Sequence, residues 1–426
     1  MILNMLTNLK YLFLVVLIKN KIMKNLKVIK ISSCRLCKNK KLKLLHKFGN
    51  FFVSNFVDRK EIKNGIKAPL SFLYCDNCCL LQLSHSAPQE IMYKKFYWYR
   101  SSVTNLMVEA LKDVYSESLK HVKLKKNDVV LDIGANDGTL LKFYKKKAIT
   151  VGCEPAKNLT QYLKKNCDYI LNDFWSKESF GKLKTKFKLK KPKIITAIGM
   201  FYDLENPSKF ISDAANALDD DGIFIAQLMC LKSMLKKNDL GNICHEHLEF
   251  YSYKSLKYLF EKNGFRIFKI EENEINGGSY RVYCKKNIKK SLSFKENVSY
   301  QEIKNFVKRI ETNRGLAIKF IKEENKKGKK IFLYGASTKG NTLLQYYGLT
   351  RKQIPFASER SPEKWGKHTI GSGIPIISED QARKLNPDYF FVMPYAFIEE
   401  FKKREKDWLN QGGKFILPYP KFKVVK

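Results

Sequence analysis

The periodicity of hydrophobic and polar positions predicts a strand, a tight turn and a helix in one central segment. NDVVLDIGANDGTLLKFY, which starts at residue 127, opens with a continuous apolar run, passes through two glycines and continues with apolar residues at helical spacing. A short apolar run favours a buried strand, and the later spacing favours a helix that begins at Thr139.

The alternation of strand-like and helix-like patterns continues along the chain. The strand-like runs are TVGCEP, YILNDFW, KIITAIG and GIFIAQL, and the helical pattern NPSKFISDAANAL precedes the last of them. Two further runs, FRIFKIEEN and SYRVYCK, are separated by EINGG and predict an antiparallel hairpin. The order predicts an α/β fold with a doubly wound parallel sheet.

The last third of the chain repeats the strand, glycine loop and helix pattern. A long helical pattern leads into the strand KIFLYGA, after which Gly335, Ser337, Thr338, Lys339 and Gly340 form a polar loop before another helix. Such a loop presents N–H groups to phosphate, but it lacks the Lys-Ser/Thr of an ATP-hydrolysing P-loop. IPFASE, IPIIS, DYFFVMP and KFILPYP predict a second, Rossmann-like α/β sheet.

The length and the net charge of the chain limit the classes of protein to which it can belong. A chain of 426 residues has room for about three domains. Its net charge of +39 suggests nucleic acid, but the excess is mostly Lys and is spread along the whole chain. We therefore expect no nucleic-acid partner, and we keep a zinc-dependent nucleic-acid-binding protein as the alternative from another class.

The N-terminal apolar run is short. YLFLVVLI at residues 11–18 has eight apolar residues, whereas a span needs about 20, and no small-residue cleavage site follows it. We expect Met23 to be the start, residues 1–23 to be an extension, and the protein to be cytoplasmic without stable membrane insertion.

Four of the ten cysteines form two C-x2-C pairs, Cys34 with Cys37 and Cys75 with Cys78. Two such pairs supply the four thiolates of a closed tetrahedral zinc site, which has no open position for catalysis. We predict a structural Zn²⁺. A disulfide is the alternative, although the scattered remaining cysteines argue against an oxidising compartment. Cys79 is an alternative ligand to Cys78.

Acidic residues surround the central glycine turn. Asp132 precedes it, and Gly134, Asn136, Asp137 and Gly138 form it. A pyrophosphate prefers an uncompensated helix N-terminus, whereas acidic groups suit a ligand that carries an amine and a sulfonium. We predict S-adenosylmethionine as cofactor and a class I methyltransferase sheet; a Rossmann-like domain with an unrelated ligand is the alternative.

The next two predicted strands end in polar residues. Glu154, about 20 residues after the glycine turn, is expected to accept hydrogen bonds from both ribose hydroxyls. Asn172 and Asp173 end the third strand and are expected at the adenine edge. These residues complete the predicted cofactor site.

The segment GNICHEHLEFYS follows the fifth predicted strand, at the carboxyl edge where ligands of parallel sheets bind. His245, Glu246 and His247 lack the H-E-x-x-H spacing, and a second metal site is one alternative. In an extended chain the two histidines would share one side and Glu246 the other. Beside a methyl donor, a carboxylate and an imidazole suggest removal of a proton α to a carbonyl. Capping of the following helix is another alternative.

The motifs together resemble one family. The two cysteine pairs, LDIGANDGTLL, HEHLEFYS, NGGSYRVY and YGASTKGNTLLQYYGL occur in the order found in the three-domain sugar C-methyltransferases. The resemblance implies a zinc-binding domain at 24–95, a methyltransferase domain at 96–290 and a Rossmann-like substrate domain at 291–426, in a monomer or homodimer. It implies methylation of a ring carbon, C3, of a nucleotide-diphosphate 4-keto-deoxysugar, with O- or N-methylation as the near alternative.

The resemblance also implies roles for individual residues. Glu246 and His247 correspond to an acid/base pair that forms an enolate, with His245 beside them, and Tyr99 corresponds to an active-site tyrosine. The expected substrate contacts are Asn276, Gly277, Gly278, Ser279, Arg281, Gly335, Ser337, Thr338 and Lys339.

Two positions depart from the family pattern. A tyrosine that often precedes the HEH motif is Cys244 here, and a histidine near the end of the fourth strand is replaced by Phe201 or Tyr202. Both changes fall beside the expected acid/base pair. They leave the choice of base among Glu246, His247 and Tyr99 open.

Overall fold

The structure is a computed structural model that describes residues 27–94 and 96–426. The expected N-terminal extension therefore lies outside the described residues. Among the helices that are described, none has an apolar stretch long enough to cross a bilayer.

Short antiparallel strands build the N-terminal region. They are β1 (Ile29–Lys30), β2 (Lys43–Phe52), β3 (Phe56–Val57), β4 (Lys67–Cys75), β5 (Leu80–Leu83) and β6 (His85–Ser86). β2, β4 and β5 pair antiparallel, and residues 249–250, from far along the chain, form a further strand at the edge of β5. The sheet of the N-terminal region therefore includes a segment of the central region.

The central region is a seven-stranded sheet with helices on its faces. Its elements are α1 (Asn105–Leu119), β7 (Val129–Ile133), α2 (Thr139–Tyr144), β8 (Ile149–Cys153), α3 (Thr160–Asn166), β9 (Tyr169–Leu171), α4 (Lys177–Lys186), β10 (Pro192–Ile198), α5 (Pro207–Ala217), β11 (Ile223–Met229), α6 (Leu231–Lys236), β12 (Glu249–Phe250, in the N-terminal sheet), α7 (Tyr253–Lys262), β13 (Arg266–Asn273) and β14 (Ser279–Lys285). The strand order is β13-β14-β11-β10-β7-β8-β9, and only β14 runs against its neighbours. The α/β fold class with a doubly wound sheet is confirmed.

The C-terminal region is a second α/β sheet that follows a 27-residue helix. Its elements are α8 (Tyr300–Lys326), β15 (Ile331–Tyr334), α9 (Thr338–Tyr347), β16 (Ala357–Glu359), β17 (His368–Thr369), β18 (Ile376–Ser378), α10 (Glu379–Lys384), β19 (Tyr389–Val392), α11 (Ile398–Arg404), α12 (Lys406–Asn410), β20 (Lys414–Leu417) and β21 (Lys423–Val425). The strand order is β18-β16-β15-β19-β20-β21. β17 pairs with β3 and so joins this region to the N-terminal one.

The three regions enclose one cavity of about 1380 Å³. Its walls come from the carboxyl ends of β7, β8, β10 and β11, from the loop before α9, and from residues of the N-terminal region between β2 and β4. Parallel strands present their carboxyl ends at one edge of a sheet, so the two α/β sheets deliver their loops to the same space.

Candidate active site

The four predicted zinc ligands converge. The Sγ atoms of Cys34 and Cys78 are 3.5 Å apart, those of Cys37 and Cys75 are 3.4 Å apart, and all four lie within 4.8 Å of one another. A tetrahedral zinc with Zn–S bonds of about 2.3 Å places its sulfurs about 3.8 Å apart, so the donor set fits the ion. Among the described residues, these four cysteines form a group whose sulfur atoms are close enough to bind one metal ion. Cys79 does not belong to this group.

The turn after β7 is shaped for close approach of a ligand. Gly134 has φ of +76°, and a Cβ there would lie 2.6 Å from Cγ of Met200, so glycine is required. Across the turn, Glu154 accepts hydrogen bonds from the N–H groups of Asn136 and Ala156, both at 2.8 Å. Each carboxylate oxygen keeps a second lone pair, and Glu154 lines the cavity as a diol acceptor should.

Asn136 and Asp137 attach the turn to the segment that carries Tyr99. The Asn136 side chain accepts from the Ser101 N–H at 3.0 Å and donates to the Tyr99 carbonyl at 3.2 Å, and Asp137 accepts from the Ser102 N–H at 2.8 Å. Asn136 lines the cavity, whereas Asp137 is buried beneath it. These bonds fix Tyr99 next to the glycine turn.

The remaining predicted cofactor residues lie behind the cavity wall. Asp132 accepts a hydrogen bond from the Thr196 hydroxyl at 2.6 Å, and burial raises the pKa of this carboxyl to about 7. Gly138 has φ of +79° and starts α2, packed against Asn166. Both residues shape the turn from within.

Asn172 and Asp173 do not line the cavity either. The Asn172 amide donates to the Glu154 backbone carbonyl at 2.7 Å, and Asp173 forms an ion pair of 3.4 Å with Lys94. The residues of this loop that do line the cavity are Phe174 and Trp175. An aromatic wall, which the sequence analysis did not single out, suits the face of a purine ring.

The HEH segment is a turn and not an extended chain. The His247 N–H donates to the Cys244 carbonyl at 3.2 Å and closes the turn. Glu246 and His247 therefore both line the cavity, while His245 points away and bonds the Ala68 carbonyl at 2.9 Å. Burial lowers the pKa of His245 to about 4.

The hydrogen bonds of His247 define its tautomer. Its Nδ1 lies 2.7 Å from the Asn242 carbonyl and must donate to it, which leaves the lone pair on Nε2. Burial, together with the nearby Lys339 ammonium, holds the pKa of His247 well below its usual value. Burial raises the pKa of Glu246. The cavity therefore holds a neutral imidazole beside a carboxyl of increased basicity.

Asn242 connects this turn to the C-terminal sheet. Its side-chain oxygen accepts from Lys339 Nζ at 2.9 Å, and its amide donates to Asp239 at 2.9 Å. Lys339, at the start of α9, thus places a positive charge next to the HEH turn. Asn242 and Asp239 belong to no recognised spacing, so the sequence alone did not point to them.

Asp203 was missed too, although it follows the fourth strand of the central sheet. It lines the cavity, its Oδ1 is buried without a hydrogen-bond partner, and burial with the neighbouring Glu246 raises the pKa of its carboxyl well above the usual range. Tyr202 packs edge-on against His247 at 4.6 Å, and Phe201 is buried in the core. Asp203 and Tyr202, not Phe201, reach the cavity.

The NGG segment before β14 lines part of the cavity and also packs closely against neighbouring loop and helix residues. A Cβ on Gly277 would lie 2.2 Å from Oδ2 of Asp239, and one on Gly278 would lie 2.4 Å from Ser233. Asn276, Gly277 and Ser279 line the cavity, whereas Gly278 does not. The glycines let this turn approach the loop that holds Asp239.

Arg281 is placed outside the cavity. Its guanidinium donates to Gln227 at 2.8 Å and to Asp113 at 2.7 Å, and it lies 3.5 Å from Glu271. These partners occupy the side chain, which is buried between α1 and the sheet edge.

The glycine loop of the C-terminal sheet faces the cavity from the other side. Ser337, Thr338 and Lys339 line it, while Gly335, with φ of +80°, supports the loop from behind. Behind the loop, Glu359 at the end of β16 accepts from the Ala336 N–H at 2.7 Å and lies 3.4 Å from Nζ of Lys364. Lys364 also lines the cavity.

Three family models match successive parts of the chain. They describe a zinc binding domain at residues 34–93, a methyltransferase domain at residues 106–270 and a C-methyltransferase C-terminal domain at residues 274–420. The chain is also similar to the C-methyltransferase NovU of Streptomyces niveus, with 26% identity over 413 residues that cover 93% of this chain and 97% of NovU.

Solved structures are similar to part of this chain, at lower sequence identity than NovU. Magnesium protoporphyrin IX methyltransferase of Synechocystis PCC 6803 with bound SAM is 12% identical, with 42% of this chain and 78% of that chain covered and a TM-score of 0.31. Mycolic acid cyclopropane synthase CmaA1 with SAH is 16% identical, with 45% and 89% covered and a TM-score of 0.33.

Proposed function

We propose that this S-adenosylmethionine-dependent C-methyltransferase, which has a zinc-binding N-terminal domain, takes a nucleotide-diphosphate 4-keto-deoxysugar as its acceptor and methylates the ring carbon next to the ketone, C3. The observation that carries the proposal is the neutral His247, held through Nδ1 beside Glu246 on the wall of the cavity that Glu154 also lines. A carbon nucleophile needs a base before methyl transfer, and O- or N-methylation does not.

We propose that Glu154, Asn136 and Gly134 hold the cofactor directly, and that Asp132, Asp137, Gly138, Asn172 and Asp173 support them from behind. Bound S-adenosylmethionine supplies an electrophilic methyl group. The aromatic side chains of Phe174 and Trp175 border the same wall. A closed Zn²⁺ site at Cys34, Cys37, Cys75 and Cys78 holds structure and takes no part in the chemistry.

The proposed chemical step is proton removal by Glu246 or His247. The C–H electron pair moves into the ketone to form an enolate, and the proton passes to the base and later to solvent. Tyr99 lines the cavity, and a tyrosine hydroxyl is protonated near neutral pH, so it can donate to the enolate oxygen. Lys339 adds a positive charge that stabilises the same oxygen.

The positive charge also explains why His247 is suited to the task. Burial, with the Lys339 charge as the smaller cause, lowers the pKa of His247 and keeps the resting imidazole neutral; the negative enolate then offsets the lysine and helps the imidazolium to persist. His245, which bonds Ala68, positions the turn. We further propose that Ser337 and Thr338 face the diphosphate while Lys339, which bonds Asn242 beside the HEH turn, faces the ketone, with Asn276 and Ser279 near the sugar.

We propose a reducing compartment such as the cytoplasm, because none of the ten cysteines, all of which lie in the described residues, forms a disulfide and four of them converge as zinc ligands. The family resemblance suggests a pathway that decorates a surface polysaccharide. The proposal is tested by mass spectrometry of reactions with S-adenosylmethionine and a panel of nucleotide-diphosphate 4-keto-6-deoxysugars. A methyl located on ring carbon by fragmentation supports it. A methyl on oxygen or nitrogen contradicts it.

A further inference from the structure

The HEH turn is attached on both sides to the zinc-binding region. Before the turn's acid/base pair, His245 donates through Nε2 to the Ala68 carbonyl of β4 at 2.9 Å. After the pair, the Leu248 carbonyl accepts from the Leu83 N–H of β5 at 2.9 Å. Glu246 and His247 thus lie between two anchors that belong to one β-hairpin.

The zinc ligands close that same hairpin. Cys75 is the last residue of β4, and Cys78 lies two residues before β5, so the second cysteine pair forms the hairpin turn. In the next pair of the ladder Glu249 of β12 faces Gln82 of β5. The metal therefore fixes the register of the strands that hold the turn.

The first cysteine pair reaches the turn through a buried ion pair. Arg35, between Cys34 and Cys37, is 3% exposed, and its Nε lies 3.5 Å from Oε1 of Glu249, which is 1% exposed. The guanidinium also donates to the Leu83 carbonyl at 2.6 Å and to the Ser86 hydroxyl at 3.0 Å. A buried charge that loses its partner is costly, so these contacts resist rearrangement.

We propose that Arg35 and Glu249 are positioning residues that couple the zinc site to the HEH turn and so hold Glu246 and His247 in register with the substrate carbon. The inference rests on the proposed role of that turn in proton removal. Reactive groups displaced by about 1 Å can lose about 100-fold in rate. Zinc then contributes to turnover through geometry alone.

The test uses the full-length zinc-bound enzyme and its Glu249→Gln, Arg35→Lys and Arg35→Met variants. Amide hydrogen exchange of the peptide 242–250 reports the turn without any substrate, and the peptide of α5 serves as an internal reference. Turnover with the nucleotide-sugar, affinity for S-adenosylmethionine and bound zinc are measured beside it. Lys43→Ala, which removes an exposed ion pair with Asp76 in the same region, is the matched control.

We expect Glu249→Gln to retain zinc and cofactor affinity within about 2-fold, to lose protection at 242–250 but not in α5, and to lower kcat about 10- to 100-fold. Arg35→Lys should fall between wild type and Arg35→Met, and the Arg35→Met/Glu249→Gln pair should be non-additive. The inference is overturned if Glu249→Gln keeps protection and kcat, or if α5 loses protection equally. If the turn responds as expected but wild type never exchanges a sugar proton, the proposed function fails while the coupling stands.

Discussion

The first strand-turn-helix units of the two α/β sheets are built alike. Gly134 donates to the Cys153 carbonyl at 2.9 Å, and Gly335 donates to the Ser358 carbonyl at 2.8 Å. In each case the next residue after that carbonyl is a glutamate whose carboxylate accepts N–H groups of the glycine loop. The residue-level correspondence is visible only in three dimensions, since the two loops share little sequence.

The charges around the two glutamates differ. Glu154 is held by backbone N–H groups of Asn136 and Ala156, whereas Glu359 also pairs with the Lys364 ammonium, and its loop carries Lys339. One unit presents a carboxylate to the cavity, and the other presents cations. In the proposed function, the same backbone arrangement would bind a cationic cofactor in one sheet and an anionic substrate in the other.

The largest expected effect concerns the central sheet, which carries the proton chemistry in this account. His247→Asn or Glu246→Gln should lower kcat about 1000-fold, since a positioned base contributes about 10²- to 10⁴-fold. Affinity for S-adenosylmethionine, measured by titration calorimetry, should stay unchanged. The variant with the larger loss identifies the base, and normal turnover in both would exclude the turn from catalysis.

Removal of the cation that the C-terminal sheet supplies should have the next largest effect. Lys339→Met should lower kcat about 100-fold because the enolate loses its counter-charge. It should also raise the pKa of His247 toward its usual value, so the acid limb of the kcat–pH profile moves to higher pH. Lys339→Arg keeps the charge and should keep the limb in place; an equal shift in both variants would contradict the electrostatic cause.

The two glutamates should separate the two ligands. Glu154→Gln should weaken S-adenosylmethionine about 10- to 100-fold, because a hydrogen bond to a charged group is worth about 1.5–3 kcal/mol, and should leave nucleotide-sugar affinity unchanged. Glu359→Gln should weaken the nucleotide-sugar alone. Each affinity is measured by calorimetry. A variant that weakens the binding of both ligands equally would contradict the assignment of one ligand to each glutamate.

The smallest expected effect is that of salt concentration on the affinities of the two ligands. In the proposed complex the diphosphate lies at the loop before α9, near Lys364, so the affinity for the nucleotide-sugar should fall several-fold between about 50 and 300 mM salt. Affinity for S-adenosylmethionine should change less than about 2-fold over the same range. Equal salt dependence of the two ligands would contradict the assignment of charges.

Periodicity predicted the regular elements because local burial decides them. The run before Gly134 became β7, and Thr139 begins α2 as expected. The cysteine pairs were readable for the same reason, since two ligands of one knuckle are close in sequence.

Contacts between residues far apart in the chain could not be predicted from the sequence. The addition of β12 to the zinc-binding sheet, the Asn242 link to Lys339 and the enclosure of Arg281 by Asp113 each join segments far apart in the chain. The packing of the HEH turn shows the same limit, because His245 bonds the Ala68 carbonyl and Leu248 bonds Leu83, both more than 150 residues earlier in the chain. Tertiary pairing decides such features, and a single sequence does not encode it locally.

Deuterium exchange tests the central claim most directly. Wild-type enzyme is incubated in heavy water with a nucleotide-diphosphate 4-keto-6-deoxysugar and a cofactor analogue that has no transferable methyl, and the sugar is analysed by mass spectrometry and NMR. Deuterium is expected at the ring carbon next to the ketone, with about 1000-fold slower exchange when the catalytic base, His247 or Glu246, is replaced. Absence of exchange in an enzyme that still methylates the same sugar would contradict it.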